Sequence, residues 1–225
     1  MNKATLPRSI TTIFKMKIGI INYGTGNIHS ISNALNEIGA DQIIINSPTE
    51  LHQVDAILLP GVGGFADSKT KLDSDHWTEE IIELVKYKNK AILGICLGMQ
   101  LLSDSSTESS TNLEISGLGL IPGKVKHLST LGCNLRTPHV GWNSINIIKK
   151  SILLEGLNNN TDFYFVHSYA FSPIDYNHII ATSEYGVSIP AVVRKDRVWG
   201  TQFHPEKSSK AGFILLKNFI KFISC

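Results

Sequence analysis

The sequence predicts an α/β fold with a mainly parallel β-sheet, because short apolar runs alternate with segments of helical periodicity. The apolar runs of the first half span residues 17–23, 42–45, 56–59 and 91–95. The helical segments lie between or after them, at residues 28–38, 77–88 and 97–102. Strands that alternate with helices pair in parallel, so helices should flank an open sheet.

The second half of the chain predicts an antiparallel extension of this sheet. Residues 103–116 are rich in Ser, Thr and Glu, which is typical of a surface loop. The strand-like runs that follow span residues 124–128, 142–148, 162–166, 179–183, 191–194 and 198–202. An amphipathic helix should close the chain at residues 209–223. No linker divides the chain, so residues 16–225 are expected to form one domain.

Composition argues against several classes of protein. The net charge is only +2 and no long run of one sign occurs, so neither nucleic acid nor a membrane surface is an expected partner. The cysteines number three, are widely spaced and form no CxxC motif, which argues against a disulfide framework and a zinc site. We therefore expect a cytoplasmic protein that needs no metal and no cofactor.

The first fifteen residues contain no acidic residue and no signal-peptide apolar core. We expect residues 1–15 to be a disordered extension. An organelle transit peptide and a true start at Met16 are the alternatives.

The strongest chemical signal is the pentapeptide Gly94-Ile95-Cys96-Leu97-Gly98, between a predicted strand and a predicted helix. A glycine-flanked nucleophile at such a junction makes a sharp elbow that lifts its side chain above the sheet. The helix N-terminus there favours a thiolate over a thiol. Cys96 is therefore the candidate nucleophile, although a buried structural cysteine in a turn would leave a similar pattern.

A second signal, His204-Pro205-Glu206, follows the last predicted strand. A residue before proline favours extended backbone, and residues two apart in an extended chain project on the same side. His204 could then face the thiol while Glu206 orients the imidazole, as nucleophilic catalysis requires. A solvated loop with an incidental His and Glu is the alternative.

The third signal is Pro60-Gly61-Val62-Gly63, at the end of another predicted strand. Acyl transfer needs N–H donors aimed at the developing oxyanion, and glycine lets a backbone approach closely. We expect the donors to be Val62 or Gly63 together with Leu97. A plain turn would explain the same residues.

Five blocks in order resemble the class I glutamine amidotransferases. They are residues 60–63 (PGVG), 94–102 (GICLGMQLL), 138–143 (PHVGWN), 164–169 (YFVHSY) and 200–208 (GTQFHPEKS). The first two and the last are typical of the whole class, whereas the third and fourth resemble the glutaminase subunits of imidazole glycerol phosphate synthases. The resemblance runs from about residue 17 to the C-terminus and implies a flavodoxin-like open sheet.

The resemblance implies that the Cys96–His204–Glu206 triad hydrolyses glutamine to glutamate and ammonia. It also implies a substrate site formed by Gly61, Gln100, Ser168 and Tyr169.

The same resemblance implies a heterodimer with a (β/α)8-barrel cyclase. That partner uses the ammonia to make imidazole glycerol phosphate and aminoimidazole carboxamide ribotide in histidine biosynthesis. The positions that match its interface are Asn27, Trp142, Tyr164 and Lys207. For Trp142, a core aromatic is the alternative.

Three other functions remain open at this point. A paralogous glutaminase could feed ammonia to a surface-sugar amidotransferase, a catalytically silent regulatory protein could keep the fold, and a cysteine peptidase could share the triad. The intact triad argues against a silent protein. Gln100 and residues 164–169 suit a small amino acid better than a polypeptide.

Overall fold

A computed structural model of the chain describes residues 16–108 and 113–224. The predicted extension, residues 1–15, lies outside the described residues. The strands are β1 (Lys17–Ile21), β2 (Asp41–Ile45), β3 (Ala56–Leu59), β4 (Ala91–Ile95), β5 (Ser105–Ser106), β6 (Ile115–Ser116), β7 (Gly123–His127), β8 (His139–Ile147), β9 (Asp162–His167), β10 (Tyr169–Pro173), β11 (Ile179–Glu184), β12 (Ser188–Lys195) and β13 (Val198–Thr201). The helices are α1 (Ile28–Glu37), α2 (Phe65–Ser74), α3 (Trp77–Ile82), α4 (Leu97–Leu101) and α5 (Ser209–Ile223).

The main sheet has a parallel half, in which the strand order is β2-β1-β3-β4-β13. This is the flavodoxin-like order, with β13 as the fifth parallel strand. Every residue of β3 and β4 is buried, because helices cover both faces of this part of the sheet. The predicted α/β fold is confirmed, and the carboxyl ends of these strands form one edge.

The antiparallel half continues the same sheet in the order β13-β12-β11-β8-β9. The predicted extension is therefore confirmed, with two exceptions. Residues 198–202 were expected to belong to the antiparallel part, but β13 pairs in parallel with β4 and is antiparallel only to β12. Residues 124–128 were expected in this sheet, but β7 lies in a second sheet of order β10-β7-β5-β6. There β7 pairs with β10 and β5, and Val125 packs with Phe171 in the core. Periodicity identifies a strand, but only tertiary packing selects its partners.

The prediction of a surface loop over residues 103–116 was wrong for part of the segment that the structure describes. Two short strands lie within it, and Ser103, Ser105 and Ser106 are buried. Their polar side chains are accommodated by internal hydrogen bonds: Ser103 Oγ donates to Ser105 O (3.1 Å) and Ser105 Oγ donates to Glu114 Oε2 (3.0 Å). A satisfied hydroxyl can be buried at little cost, so composition alone is misleading here.

The sequence pattern also failed to predict α2. Of the buried residues of this helix, Phe65 and Leu72 are apolar, whereas Ser68 and Lys69 are polar. So sparse an apolar face gives no clear period. The predicted helix at residues 77–88 begins where expected, but after Ile82 it continues as a π-helical turn over Glu83–Tyr87.

Two hydrophobic layers cover the two faces of the sheet. One contains Ile31 and Leu35 of α1 with Leu215 and Phe219 of α5. The other contains α2, α3 and α4, with Trp77 as its largest buried side chain. Among the described helices, none is both long and apolar enough to cross a membrane.

The first turn of α5 lies against the segment that carries His204 and Glu206. A Cβ atom at Gly212 would fall 1.8 Å from the carbonyl oxygen of Pro205, far inside the van der Waals limit. The helix can therefore approach this backbone only because residue 212 is glycine. Packing of α5 thus fixes the position of the turn that holds the His–Glu pair.

We expect Gly212→Ala to lower the free energy of unfolding by about 1–3 kcal/mol, because the added methyl group must displace α5 or the Pro205 turn. Urea denaturation measures the change. Gly64→Ala is the matched control, since its φ is −85° and its Cβ would lie 3.7 Å from the nearest atom, Asp67 Oδ2. Equal stability of the two variants would contradict this account of the packing.

Candidate active site

Cys96 occupies a strained elbow between β4 and α4. Its φ of 54° and ψ of −110° lie outside the common regions for a residue with a side chain. Both flanking positions need glycine. A Cβ atom on Gly94 would lie 2.5 Å from Gly98 O, and a Cβ atom on Gly98 would lie 1.8 Å from Leu59 O. The backbone N–H of Cys96 donates to Thr201 O at 2.8 Å. The elbow is thus held between the ends of β3 and β13.

His204 and Glu206 form a buried hydrogen-bonded pair. The distance from His204 Nδ1 to Glu206 Oε1 is 2.8 Å, and both side chains are 1% exposed. Because a carboxylate only accepts, Nδ1 carries the hydrogen. The predicted contact is present, but its cause differs from our expectation: Pro205–Lys207 is a 3₁₀ turn that brings Glu206 under the ring, not a continuation of extended chain.

Cys96 and His204 open into one pocket at the carboxyl edge of the parallel strands. The pocket has a volume of about 240 Å³. It is lined by Val62, Gly63, Cys96, Leu97, Gln100, Glu108, Val166, His167, Ser168, Tyr169 and His204. A nucleophile, a base and its orienting carboxylate therefore meet at a concave site of the kind that binds small molecules.

The site favours a charged imidazole beside the thiol. Burial lowers the pKa of His204, but interactions with Cys96 and with the Glu206 carboxylate outweigh burial and raise it to about 9. Apart from its interaction with Cys96, Nε2 of His204 is buried without a hydrogen-bond partner in the described part of the chain, so it can exchange a proton with the thiol. The sulfur lies 3.7 Å from Val166 O and 3.9 Å from Gln202 Nε2.

The three residues predicted to form the oxyanion hole, Val62, Gly63 and Leu97, all line the pocket. Gly63 has a φ of 98°, which favours glycine. Gly61 does not line the pocket. A Cβ on Gly61 would lie 2.8 Å from Gly98 N, so this glycine lets the 60–63 loop lie against the elbow.

The predicted substrate residues Gln100, Ser168 and Tyr169 also line the pocket. Gln100 is buried, and its Nε2 donates to Tyr169 O at 2.8 Å and to Gln202 Oε1 at 3.2 Å. The side chain of Gln100, one helical turn beyond Cys96 on α4, is therefore held in one orientation in the pocket lining.

Sequence reasoning missed Glu108, which lines the same pocket. Its Oε2 accepts the N–H of Phe65, the first residue of α2, at 3.2 Å. Burial raises the pKa of the carboxyl group, although the Phe65 bond acts in the opposite direction. No motif marks this glutamate in the Ser/Thr-rich segment, so only the fold reveals that it lines the pocket that contains Cys96.

Three of the four predicted interface residues form one exposed cluster. Trp142 is 57% exposed, so the alternative of a core aromatic was wrong. Its ring meets that of Tyr164 edge-on at 6.2 Å, and Lys207 Nζ lies 5.7 Å from the centre of the Tyr164 ring. Asn27 lies apart from them, at the start of α1 on the same edge of the sheet.

The raised pKa of His204 predicts a pH dependence of stability. An unfolded histidine titrates near 6.5, so between about pH 6.5 and 9 the folded protein binds more protons than the unfolded chain. The stabilisation is fully present below pH 6.5 and is lost as the pH rises through 9.

Urea denaturation at pH 6.5 and 9.5 should therefore show a loss of stability at the higher pH. The loss should be smaller in Glu206→Gln, which lacks the carboxylate that raises the pKa of His204. An equal loss in both proteins would contradict this assignment.

Comparison with known proteins shows which family this chain resembles. Residues 19–222 match the model of "Glutamine amidotransferase class-I". The chain is 44% identical over 207 residues to "Imidazole glycerol phosphate synthase subunit HisH" of Desulfitobacterium hafniense, with 92% of this chain and 95% of the relative covered. The protein of the same name from Bacillus subtilis is 42% identical, with 91% and 95% covered.

Solved structures share the fold at low sequence identity. "Structure of PurLQS from Thermotoga maritima" superposes with a TM-score of 0.72 at 16% identity, covering 92% of this chain and 99% of the other. The crystal structure of a glutamine amidotransferase, also from Thermotoga maritima, gives a TM-score of 0.61 at 16% identity, with 92% and 82% covered. With the family model matching nearly the whole described fold, this chain belongs to the class I glutamine amidotransferases.

Proposed function

We propose that this chain is the glutaminase subunit of an imidazole glycerol phosphate synthase and acts in the histidine pathway of the cytoplasm. The observation that carries the proposal is the meeting of Cys96 with the buried His204–Glu206 pair in one pocket. The two relatives described above bear the name of that synthase, and each alignment covers more than nine-tenths of this chain. They support this acceptor pathway over the surface-sugar alternative.

The chemistry proceeds through a thioester. The thiolate of Cys96 attacks the side-chain amide carbon of glutamine, and protonated His204 gives its proton to the departing ammonia. Neutral His204 then takes a proton from a water molecule as the water oxygen attacks the thioester carbon. The C–S bond breaks, glutamate is released, and the Cys96 thiolate beside protonated His204 is restored. Glu206 holds the imidazole so that Nε2 faces the reacting atoms, in the role of the third member of a triad.

Backbone donors stabilise the negative oxygen of each tetrahedral intermediate. Leu97 is the first residue of α4, and its N–H is directed out of the helix N-terminus beside the sulfur. Val62 or Gly63 supplies a second donor from the facing loop. Preorganised donors of this kind contribute a large part of catalysis in acyl transfer.

The amino-acid end of glutamine is recognised by polar side chains that line the same pocket. Glu108 supplies a carboxylate for the α-ammonium group, because it is the acidic side chain among the residues that line the pocket. Gln100, Ser168 and Tyr169 surround the rest of the substrate.

Ammonia must reach its acceptor without entering bulk water, where it is protonated and loses its nucleophilicity. A partner that covers the carboxyl edge of the sheet would provide such a path. The exposed Trp142, Tyr164 and Lys207 cluster and Asn27 are the proposed contacts for a (β/α)8-barrel cyclase. An aromatic centre with a cationic neighbour is typical of protein interfaces.

We expect Cys96→Ala, mixed with the cyclase partner, to lose glutamine-dependent product formation by about 10³-fold or more. Product formation from added ammonium salt should be retained, because the acceptor site lies on the partner. Glutamate release and product formation are the two measurements.

Cys133→Ala is the matched control, since Cys133 is also a buried thiol but lies outside the pocket. This control should retain both activities. Glutamine-dependent product from Cys96→Ala, or no glutamate release by the wild-type complex, would refute the proposed function.

We expect Glu108→Gln to raise the KM for glutamine about tenfold or more while changing kcat little, because an ion pair with the α-ammonium group is lost away from the reacting bond. Steady-state glutaminase kinetics measure both constants. Glu114→Gln is the control, since that acid on the same segment pairs with Lys124 outside the pocket. An unchanged KM in Glu108→Gln would contradict the assignment.

A further inference from the structure

Two histidines outside the triad form a buried pair behind the pocket. His139 on β8 and His167 on β9 are register partners, and they are 3% and 6% exposed. Nδ1 of His139 lies 3.1 Å from Nε2 of His167. The chemistry proposed above uses neither imidazole, although His167 lines the pocket that contains Cys96.

The backbone on one side of the pair determines where the hydrogens lie. Nδ1 of His167 is 2.8 Å from Tyr169 O, and a carbonyl oxygen can only accept. Nδ1 of His167 is therefore the N–H, and Nε2 of the neutral ring is an acceptor. His139 must then donate from Nδ1, which leaves its own Nε2 as an acceptor.

Hydrogen bonds on the His139 side of the pair independently require the same placement of the ring hydrogens. The Oδ1 of Asn143 accepts the N–H of Ser144 at 2.8 Å, so the amide nitrogen faces the opposite way. That nitrogen donates to Glu184 O at 2.9 Å and to His139 Nε2 at 3.2 Å. Both ends thus agree on one pattern in which each imidazole is neutral and carries its hydrogen on Nδ1.

Packing and burial preserve this pattern. The His139 ring is stacked between Phe165, at 4.9 Å, and Tyr185, at 4.0 Å, which prevents it from turning. Burial lowers the pKa of His139 to about 4 and the pKa of His167 to about 3. Both rings therefore stay neutral at physiological pH, whereas a second proton on His167 would bring two N–H groups together.

The hydrogen-bonded chain continues to the nucleophile. Tyr169 O accepts a second hydrogen bond from Gln100 Nε2 at 2.8 Å. The same nitrogen donates to Gln202 Oε1 at 3.2 Å, and the Nε2 of Gln202 faces Cys96 Sγ at 3.9 Å. Gln202 is fully buried, so its amide cannot exchange these partners for water.

We infer that His139 and His167 are positioning residues for the glutaminase reaction. They form a neutral imidazole relay that holds the Tyr169 carbonyl, and through it Gln100, in the orientation that the pocket requires. This inference rests on the proposed function, because the reaction that it serves is glutamine hydrolysis.

The relay also connects β8, at the proposed partner surface, to the wall of the pocket. Its outer member, Asn143, is adjacent to Trp142 in the exposed cluster, and its inner end meets the wall of the pocket. A displacement of β8 at the proposed partner surface would therefore be transmitted to Gln100 through directional hydrogen bonds rather than through apolar packing.

The first test reads the relay directly and does not depend on activity. Nitrogen-15 NMR of imidazole-labelled protein distinguishes the two neutral tautomers. We expect His139 and His167 to carry hydrogen on Nδ1 and to remain neutral down to pH 5. A hydrogen on Nε2 of either ring, or protonation of either ring near pH 6.5, would overturn the relay even if the protein hydrolyses glutamine.

The second test is kinetic, with the active fraction counted by Cys96 alkylation. We expect His167→Phe to lower kcat/KM for glutamine about tenfold, mainly through KM, because the ring volume stays but the Tyr169 bond is lost. His167→Asn should recover much of the loss, since its amide can donate to the same carbonyl. Tyr185→Phe is the control, which loses one neighbouring hydrogen bond to Arg136 O but leaves the relay intact.

A double mutant separates positioning from general destabilisation. If His167 acts through Gln100, the effect of His167→Phe should largely disappear in a Gln100→Met background. A full additional loss in that background, or equal kcat/KM in His167→Phe and wild type, would refute the relay while leaving the proposed function in place. A wild-type protein without glutaminase activity would instead refute the proposed function.

Discussion

The hydrogen bond from Cys96 N–H to Thr201 O, 2.8 Å long, joins the ends of β4 and β13, and the catalytic arrangement depends on that junction. The two strands pair in parallel from Val198 with Ile92 to Thr201 with Ile95. Parallel pairing places both carboxyl ends at one edge, where the thiol leaves one strand and the His204 segment leaves the other. Residues far apart in sequence, Cys96 and His204, thereby line one pocket and interact with each other.

Close packing around this edge stabilises the strained backbone of Cys96 and the buried turn that carries Glu206. The unusual backbone of Cys96 persists because Gly94 and Gly98 allow the elbow to fit against neighbouring carbonyl groups. The turn that carries Glu206 is held in a similar way, by the approach of α5 at Gly212. Both halves of the candidate triad are thus positioned by backbone contacts that any larger side chain would prevent.

The second sheet and the β8–β9 pair give the pocket its remaining wall. This wall is polar but almost fully satisfied: His139 and His167 have defined partners, and Tyr169 O accepts from Gln100 of the neighbouring α4. Buried polar networks of this kind specify one arrangement, because a lost partner leaves an uncompensated group in a poorly solvated site. Rigidity in this wall is useful to an enzyme that must hold a small, polar substrate in one orientation.

The sequence by itself determined the first four parallel strands, the elbow, the His-Pro-Glu segment and α5, whose bounds agree with the predicted residues 209–223. The parallel pairing of β13 with β4 was not predicted. The predicted features depend on local causes, namely apolar runs buried on both faces, glycine at crowded turns and a regular helical period. Local sequence patterns are sufficient to predict an element where the burial of a strand or helix face, or the backbone of a turn, determines which residue type can occupy a position.

Only the tertiary structure decided the membership of β7 in a second sheet, the existence of α2, the exposure of Trp142 and the presence of Glu108 in the pocket. Each depends on which distant surface a segment meets, and a segment's own residues do not encode that choice. The turn at Pro205–Lys207 shows the same limit on a smaller scale. The contact between His204 and Glu206 was predictable, but the backbone that makes it is set by helix packing, a long-range interaction that overrides local preference.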